Sequence, residues 1–377
     1  MSIARTLERW GIFSATQPVS IPVNANSEPY VAETGVHKLG WRHFRRLVYF
    51  FFSGQSASLR ETFDPTWRRG LWLYRGVPQI GDALMDLAPR SYLAELGLSM
   101  DLCTEPHLAL LFSGDPFFDK VFTPETLGTV AYDFVIVQSH KSRSLRDKRR
   151  FFKKLPWVSV HGFFTGPEFH RAEFATRRLT DLTGHALAQD DFFRHARQKL
   201  KPLPAKPPSS PDLPARQLAV AFALGGVDPL RTYTRWVELA TLLAGRVDVK
   251  ITLLGSANAV AEARDFIERF PQPTLNLVNQ TSLEECRLAM QKQDVVIACD
   301  GGLMHLAVTT ETALVSLFHE GVTAAWRLPP DLIGTSLQSP TADVSAIEPG
   351  QIIDVVMKLR VVDAIGATAV PALPDDR

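Results

Sequence analysis

The stretch DVVIACDGGLMHLA, Asp294–Ala307, decides the fold. Its apolar run up to Cys299 predicts a buried strand, and Gly301-Gly302 then turns the chain into a helix. Glycines at such a turn let a ligand approach the backbone closely, and the free N–H groups at a helix start attract phosphate. His305, in the first turns of that helix, can donate a hydrogen bond to the same phosphate. The alternative is a plain tight turn with His305 packed in an interface.

The same strand-and-helix pattern fills the C-terminal half on both sides of this stretch. Short apolar runs that alternate with longer helical spacings indicate βαβ units around a parallel sheet. Thr281–Glu285 contains two overlapping capping boxes, which predict the start of one of these helices. The predicted strands cover 218–224, 249–254, 274–278, 294–299 and 313–318, and the predicted helices cover 234–243, 258–270 and 282–291.

Two further polar side chains lie at turns where parallel strands end. The turn Gly225–Arg231 follows the strand 218–224, at the edge where open α/β sheets bind ligands. Arg231 is there either to clamp a phosphate or as a solvated side chain. Asp300 would repel a phosphate, so its carboxylate suits a helix cap or a ribose hydroxyl.

A proline-rich segment, KPLPAKPPSSPDLP at Lys201–Pro214, divides the chain. Its six prolines exclude a helix or an inner strand and predict a stiff, extended linker. A length of 377 residues is itself typical of two domains. We therefore predict an N-terminal extension at 1–65, a domain at 66–200, the linker at 201–217, a second domain at 218–345 and a C-terminal helix and tail at 346–377.

The N-terminal half shows fewer regular elements. Apolar runs predict strands at 70–75 and 134–137, and helical spacing predicts one helix over 82–96. Asp82 stands at the start of that helix, after the turn Gly76–Asp82. It is either a helix-capping residue or a general base at the cleft between domains that accepts a proton from a hydroxyl nucleophile.

Two segments concentrate positive charge in this half. His140–Lys154 carries eight Lys or Arg against a single acid, Asp147, and suits an anionic acceptor, a phospholipid surface or a plain solvated helix face. Lys38–Phe52 is basic first and aromatic afterwards. That segment either rests on a membrane interface or packs onto the domain.

Composition excludes several classes of protein. The formal net charge is +1, from 41 Lys and Arg against 40 Asp and Glu, so a nucleic-acid partner is not expected. Three cysteines without a C-x-x-C pair argue against a disulfide framework or a structural zinc site. D-x-D, H-E-x-x-H, P-loop and G-x-G-x-x-G patterns are absent, so we expect neither a bound metal nor another cofactor. With neither a signal peptide nor a spanning segment in the sequence, the expected location is the cytoplasm.

The run Thr281–Ala307 resembles family-nine glycosyltransferases, the lipopolysaccharide heptosyltransferase family. Members carry a T-S-L-x-E helix start, a buried strand and then D-[ST]-G-x-x-H-L-A. Three other segments agree with the family in order and spacing: Leu253–Ser256 with its glycine turn, Arg231–Leu239 and Gly81–Leu84. The residues before the first predicted strand, and the absence of an obvious ribose-binding carboxylate after Gly255, depart from the family pattern.

The resemblance implies an α/β protein of the GT-B type, with two facing Rossmann-like domains. It also implies metal-independent, inverting transfer of heptose from ADP-heptose to an anionic lipopolysaccharide core, at the inner face of the cytoplasmic membrane. Two alternatives are the same fold with another nucleotide-sugar or a protein or small-molecule acceptor, and a degenerate nucleotide-sugar-binding scaffold.

The resemblance also assigns roles to single residues. Asp82 becomes the base that activates the acceptor hydroxyl, and the basic residues Lys141 and Arg143 would bind the anionic acceptor. Arg231 stands where the family usually has a phosphate-binding lysine. The expected donor-binding residues are Arg231, Gly255, Ser256, Thr281, Asp300, Gly301, Gly302, Leu303 and His305.

Overall fold

The computed structural model describes residues 35–128, 130–162, 169–205 and 217–365, with only the backbone for 360–365. These described residues form two compact units, one from residue 35 to 202 with 325–330 and the other from residue 203 to 324 with 331–365. Most of the predicted linker, the first part of the predicted extension and the end of the predicted tail lie outside the described residues. Each unit is an α/β structure built on its own parallel sheet.

The first unit contains a five-stranded sheet in the order β3-β2-β1-β4-β5, and every strand pair in it is parallel. Its strands are β1 Arg69–Leu73, β2 Ser99–Cys103, β3 Lys120–Phe122, β4 Phe134–Val137 and β5 Trp157–Ser159. Its helices are α1 Val36–Phe52, α2 Ile80–Asp86, α3 Arg90–Glu95, α4 Pro106–Leu111, α5 Ser142–Phe152, α6 Arg171–Thr183 and α7 Gln189–Ala196.

The second unit contains a six-stranded parallel sheet in the order β11-β10-β9-β6-β7-β8. Its strands are β6 Leu218–Ala223, β7 Val249–Leu254, β8 Thr274–Asn276, β9 Val295–Cys299, β10 Ala313–Phe318 and β11 Gly334–Gln338. Its helices are α8 Trp236–Ala244, α9 Val260–Arg269, α10 Leu283–Gln291, α11 Gly302–Val308 and α12 Pro349–Ile365. The predicted alternation of strands and helices is confirmed here.

The prediction of one helix over 82–96 is wrong. The structure has two helices, α2 and α3, separated by a tight turn that contains Pro89. Proline has no N–H to continue the helical ladder. The chain therefore closes the turn with hydrogen bonds that span three residues, such as the one from Ala88 N–H to Met85 O at 3.2 Å. The break also aims Arg90 inward, where its guanidinium forms a bidentate pair with the buried Asp115 at 2.9 and 2.6 Å.

The start of α10 confirms one of the two predicted capping boxes. Ser282 Oγ accepts the N–H of Glu285 at 3.3 Å, and Glu285 Oε2 accepts the N–H of Ser282 at 2.8 Å. This reciprocal pair satisfies two backbone donors at the helix start. Thr281 therefore lies just outside the helix, on the loop that follows β8.

Helix α1, from the predicted extension, packs on the first unit through one face. Leu39, His43 and Phe50 are its buried residues. The Phe50 ring stacks on His140 with centroids 5.0 Å apart and contacts Trp157 at 6.2 Å. The packing interpretation of 38–52 is correct for this face alone, because the opposite face carries exposed aromatic rings.

The first helix turn of α6 depends on a neutral histidine. His170 is the N-cap, and its Nδ1 accepts the N–H of Glu173 at 3.2 Å, which a protonated imidazole cannot do. Burial lowers the pKa of His170 to about 4. The unfolded chain, with its ordinary histidine pKa, therefore binds more protons than the folded chain between about pH 4 and 6.5.

We predict that acid destabilises the first unit through this cap. The stabilisation is present above pH 6.5 and is lost as the pH falls towards 4, by about 2 kcal/mol between pH 7 and 5. Urea unfolding of His170→Asn, which keeps a capping oxygen and does not titrate, is expected to show a shallower loss over this range. An unchanged pH dependence in this variant would contradict the assignment.

Candidate functional site

In the second unit, the chain leaves the sheet in opposite directions from two neighbouring strands. β6 lies beside β9, and the connection after β6 runs towards β7 while the connection after β9 runs towards β10. The loops after such a pair diverge and open a crevice at the carboxyl ends of the strands, where open α/β sheets bind ligands.

An ion pair spans this crevice. Arg231 comes from the short helical turn Pro229–Arg231 after β6, and its Nη2 donates to a carboxylate oxygen of Asp300, which follows β9. The same nitrogen lies 3.4 Å from Asp300 O. Arg231 Nε is buried and has no hydrogen-bond partner among the described residues. A buried guanidinium donor without a partner suits an anionic ligand.

Asp300 is not the helix cap that the sequence allowed as one alternative. The N-cap of α11 is Gly301. Asp300 is buried, and besides Arg231 it faces His305, whose Nε2 lies 3.9 Å from Asp300 Oδ1. Arg231, Asp300 and His305 thus come together as the donor-site prediction requires. Gly302 opens α11, and Leu303 follows in its first turn, half-buried.

Gly301 has room for a side chain. Its φ of −178° is extended backbone that any residue adopts. A Cβ added there would meet only the carbonyl oxygen of Cys299 at 3.7 Å, an ordinary contact. The fold itself therefore does not require glycine at this position.

Gly255 and Ser256 lie at the end of β7 and serve a close packing of loops. A Cβ at Gly255 would come within 2.7 Å of the Ala259 side chain. Ser256 Oγ donates to Asn258 Oδ1 at 2.6 Å, and the Asn258 amide donates to Gly226 O at 2.9 Å. These bonds join the loop after β7 to the loop after β6, on the same sheet edge as Arg231.

Thr281 stays less closely connected to the site. Asn279 N–H donates to Gly255 O at 2.9 Å, which places the segment after β8 beside the end of β7. Thr281 follows two residues later. No described contact joins it to Arg231 or Asp300.

Glu262, in the first turn of α9, was missed as a positioning residue. Its carboxylate accepts the N–H of Gly225 at 2.9 Å, and burial raises its pKa. Gly225 has φ +78°, and a Cβ there would approach Ala259 to 2.8 Å, so glycine is required. Glu262 therefore fixes the turn that leads to Arg231. The sequence position of Glu262, seven residues after Gly255, does not predict this bond to a backbone N–H.

The first unit has an equivalent crevice between β1 and β4. Asp82 follows β1 as the third residue of α2, whose N-cap is Gln79. Its side chain is 32% exposed, and its Oδ1 lies 3.5 Å from Arg171 Nε. The candidate base is therefore partly accessible and lies beside a cation.

A buried cluster below Asp82 escaped the sequence analysis. Asp86, one helical turn further along α2, is fully buried and accepts from Arg171 at Nη2 and, at 3.0 Å, from Nε. Tyr74 OH donates to Asp86 at 2.9 Å, and His161 Nε2 lies 3.5 Å away. Burial raises the pKa of Asp86 to about 6, although Arg171 opposes the rise. The i, i+4 spacing of the two aspartates was the available signal, while nothing local pointed to Arg171.

Lys141 and Arg143 occupy different surroundings at the start of α5. Lys141 is largely buried, and burial lowers its pKa, as does Arg171, against the opposing charges of Asp86 and Asp82. It therefore lies within electrostatic range of the candidate base. Arg143 is exposed, and its guanidinium reaches Glu105 at 4.0 Å.

One member of the predicted basic surface is internal. Lys148 is buried, donates to Leu155 O at 2.7 Å and lies over the Trp157 ring at 5.8 Å. The single acid of the segment, Asp147, pairs with Arg75 at 3.2 Å. The exposed basic residues of the segment are Arg143, Arg146, Arg149, Arg150, Lys153 and Lys154.

No group of three His, Cys, Asp or Glu side chains within 35–128, 130–162, 169–205 and 217–365 is arranged to hold a metal ion. In the same part of the chain, every helix is too short or too polar to span a bilayer.

Comparison with known proteins finds a family model that matches part of the chain. Residues 196–336, which contain the Arg231–Asp300 pair, match the family model described as Glycosyltransferase family 9 (heptosyltransferase). Over those residues the chain is similar to family 9 glycosyltransferases. A comparison with curated protein sequences finds no match.

Solved structures share the fold. A glycosyl transferase family 9 protein from Veillonella parvula has a TM-score of 0.59 at 13% identity, covering 80% of this chain and 99% of its own. ADP-heptose lipopolysaccharide heptosyltransferase II of E. coli has a TM-score of 0.56 at 16% identity, with 78% and 99% covered. E. coli heptosyltransferase WaaC, solved with ADP, has a TM-score of 0.56 at 18% identity, with 77% and 99% covered. The two parallel sheets are consistent with the GT-B fold of these enzymes.

The buried cluster gives a prediction about stability. Arg171→Met leaves the carboxylate of Asp86 buried without its cation, and we expect a loss of about 3–5 kcal/mol in the free energy of unfolding. The double variant Arg171→Met/Asp86→Asn removes the uncompensated charge and is expected to recover a large part of it. Chemical denaturation measures both.

Arg194→Met is the matched control. Arg194 pairs with Glu95 and Asp191, and all three side chains are about half exposed, so the loss should stay near or below about 1 kcal/mol. Equal losses in Arg171→Met and Arg194→Met would show that the Asp86 pair has no special role.

Proposed function

We propose that the protein transfers a heptose from ADP-heptose to an anionic lipopolysaccharide-core acceptor, with inversion at the anomeric carbon. The observation that carries the proposal is the Arg231–Asp300–His305 group at the switch point of the second sheet, beside the open Gly301. The description of two relatives as heptosyltransferases, one of them with ADP, supports the choice of donor.

The second unit supplies the groups that bind a diphosphate. Asp300 holds the Arg231 guanidinium by one nitrogen, so Nε and the remaining N–H groups stay available for phosphate oxygens. His305 and the backbone N–H groups at Gly301-Gly302 add donors on the same edge. Hydrogen bonds and positive charge at this place stabilise the charge that develops on the departing diphosphate.

The first unit supplies the base. The acceptor oxygen forms a bond to the anomeric carbon while the bond from that carbon to the diphosphate oxygen breaks, and the acceptor proton passes to Asp82. Arg171 pairs with the Asp82 carboxylate and orients it. Lys141 and Arg143 are the residues we propose for the acceptor's anionic groups. The charge of Asp82 is among those that affect the pKa of Lys141.

Donor binding is the first test. Calorimetric titration with ADP, UDP, GDP and CDP is expected to show selective binding of ADP. Gly301→Ala places a methyl group where the ligand approaches, at no cost to the fold, and should weaken ADP binding by more than about tenfold, which is 1.4 kcal/mol. His305→Ala should weaken it as well.

Gly350→Ala is the control, because a Cβ at that position also meets open space but lies on α12. Preference for another nucleotide would keep the fold and redirect the donor. No binding of any nucleotide would favour the degenerate-scaffold alternative over the enzyme.

The role of Asp82 is tested by Asp82→Asn. Loss of a general base should lower kcat for transfer by about 10²–10⁴-fold while the Kd for ADP stays unchanged, because Asp82 belongs to the other unit. Asp190→Asn removes a carboxylate from the first turn of α7 and serves as the matched control. Transfer by Asp82→Asn at nearly the wild-type rate would exclude Asp82 as the base.

A further inference from the structure

Helix α1 carries apolar side chains on two opposite faces. One face packs on the first unit through Leu39, His43 and Phe50. The residues of the other face recur at spacings of three and four, so they form one stripe along the helix. This stripe, called here the outer face of α1, consists of Trp41, Phe44, Val48, Phe51 and Phe52.

The outer face is open to solvent to a degree that packing does not explain. Trp41 is 64% exposed and Phe52 is 87% exposed. Four of the five residues are aromatic, and Trp41 and Phe44 lie against each other with ring centroids 5.9 Å apart. A contiguous aromatic stripe of this kind marks an interaction surface and not a scatter of single apolar residues.

Positive charge flanks the outer face. Lys38, Arg42 and Arg45 are exposed on α1, and no Asp or Glu occurs between Gly35 and Gly54. Helix α5 packs against α1 and adds exposed arginines, among them Arg149. Two copies of this surface would bring like charges together, which disfavours self-association. An aromatic stripe flanked by Lys and Arg matches the interface of an anionic bilayer.

We propose that the outer face of α1 lies in the interface of an anionic phospholipid membrane, with its rings at the boundary between headgroups and acyl chains. Lys38, Arg42 and Arg45 then contact lipid phosphates. The opposite face of α1 packs on the unit that carries Asp82, where Phe50 stacks on His140. The membrane would thus hold the unit that carries Asp82, whatever the donor nucleotide is.

Vesicle flotation of the full chain tests the proposal. Wild-type protein should float with vesicles of phosphatidylcholine mixed with phosphatidylglycerol, and much less with phosphatidylcholine alone. Trp41→Ser/Phe52→Ser and Arg42→Glu/Arg45→Glu should each lower the partition coefficient by more than about tenfold. These side chains are exposed, so thermal unfolding and nucleotide binding should not change.

Leu110→Ser/Ile333→Ser is the matched control, because both side chains are exposed and apolar and lie on other elements. Brominated acyl chains give a second readout of depth. They should quench the tryptophan fluorescence of the wild type more than that of Trp41→Phe.

Three results would overturn the proposal. The first is equal flotation of the wild type and the outer-face variants. The second is no flotation of the wild type with anionic vesicles, which would mean that another segment of the chain covers the stripe. The third is a dimer of the wild type in solution that becomes a monomer in Trp41→Ser/Phe52→Ser, which would make a second copy the occupant. Nucleotide titration of the same variants separates these outcomes from failure of the proposed transfer reaction.

Discussion

The position of the first strand in each parallel sheet is the constraint on which the sites depend. β1 and β6 each lie in the interior of their sheet, beside the strand where the chain resumes on the other side, so the two connections must diverge. The carboxyl ends of β1 with β4, and of β6 with β9, are therefore left uncovered by helices of the crossover. Asp82 and Arg231 each follow one of these central strands. The strand order thus creates a crevice at the carboxyl edge of each sheet, whatever side chains line it.

Each edge then uses a buried carboxylate to place an arginine. Asp300 holds Arg231 in the second unit, and Asp86 holds Arg171 in the first. Burying such a pair gains little net stability, since desolvation of the two charges opposes their attraction. Its effect is positional: a long, flexible side chain is fixed in one geometry, with part of its hydrogen-bonding capacity left over. In the second unit the remaining donors are available for the proposed diphosphate, and in the first Arg171 Nε, which donates to Asp86, also lies 3.5 Å from Asp82.

The elements of the second unit were predictable because short-range sequence patterns indicate them. Strands buried between helices are almost entirely apolar, as in β9 and β10, and the Ser282–Glu285 box marks a helix start within four residues. The first unit was less predictable. The apolar spacing favoured one helix over 82–96, which Pro89 interrupts, and Lys148 is buried although it belongs to a run of basic residues. The Asp86–Arg171 pair joins residues 85 apart in the chain, and a single sequence holds no local trace of such a contact.

Helix α1 shows why two alternative readings of one segment can both describe it. An α-helix of 17 residues has enough circumference for two apolar stripes, and the segment 38–52 has rings and aliphatic chains for both. Packing selects the stripe with Phe50, because its ring packs against both His140 and Trp157. The stripe with Trp41 stays exposed. The arginines beside it disfavour contact with a second copy of the chain, because like charges would meet. A helix that only packs on the unit needs no apolar side chains on its second face, so the exposed rings are the observation on which the proposed membrane contact depends.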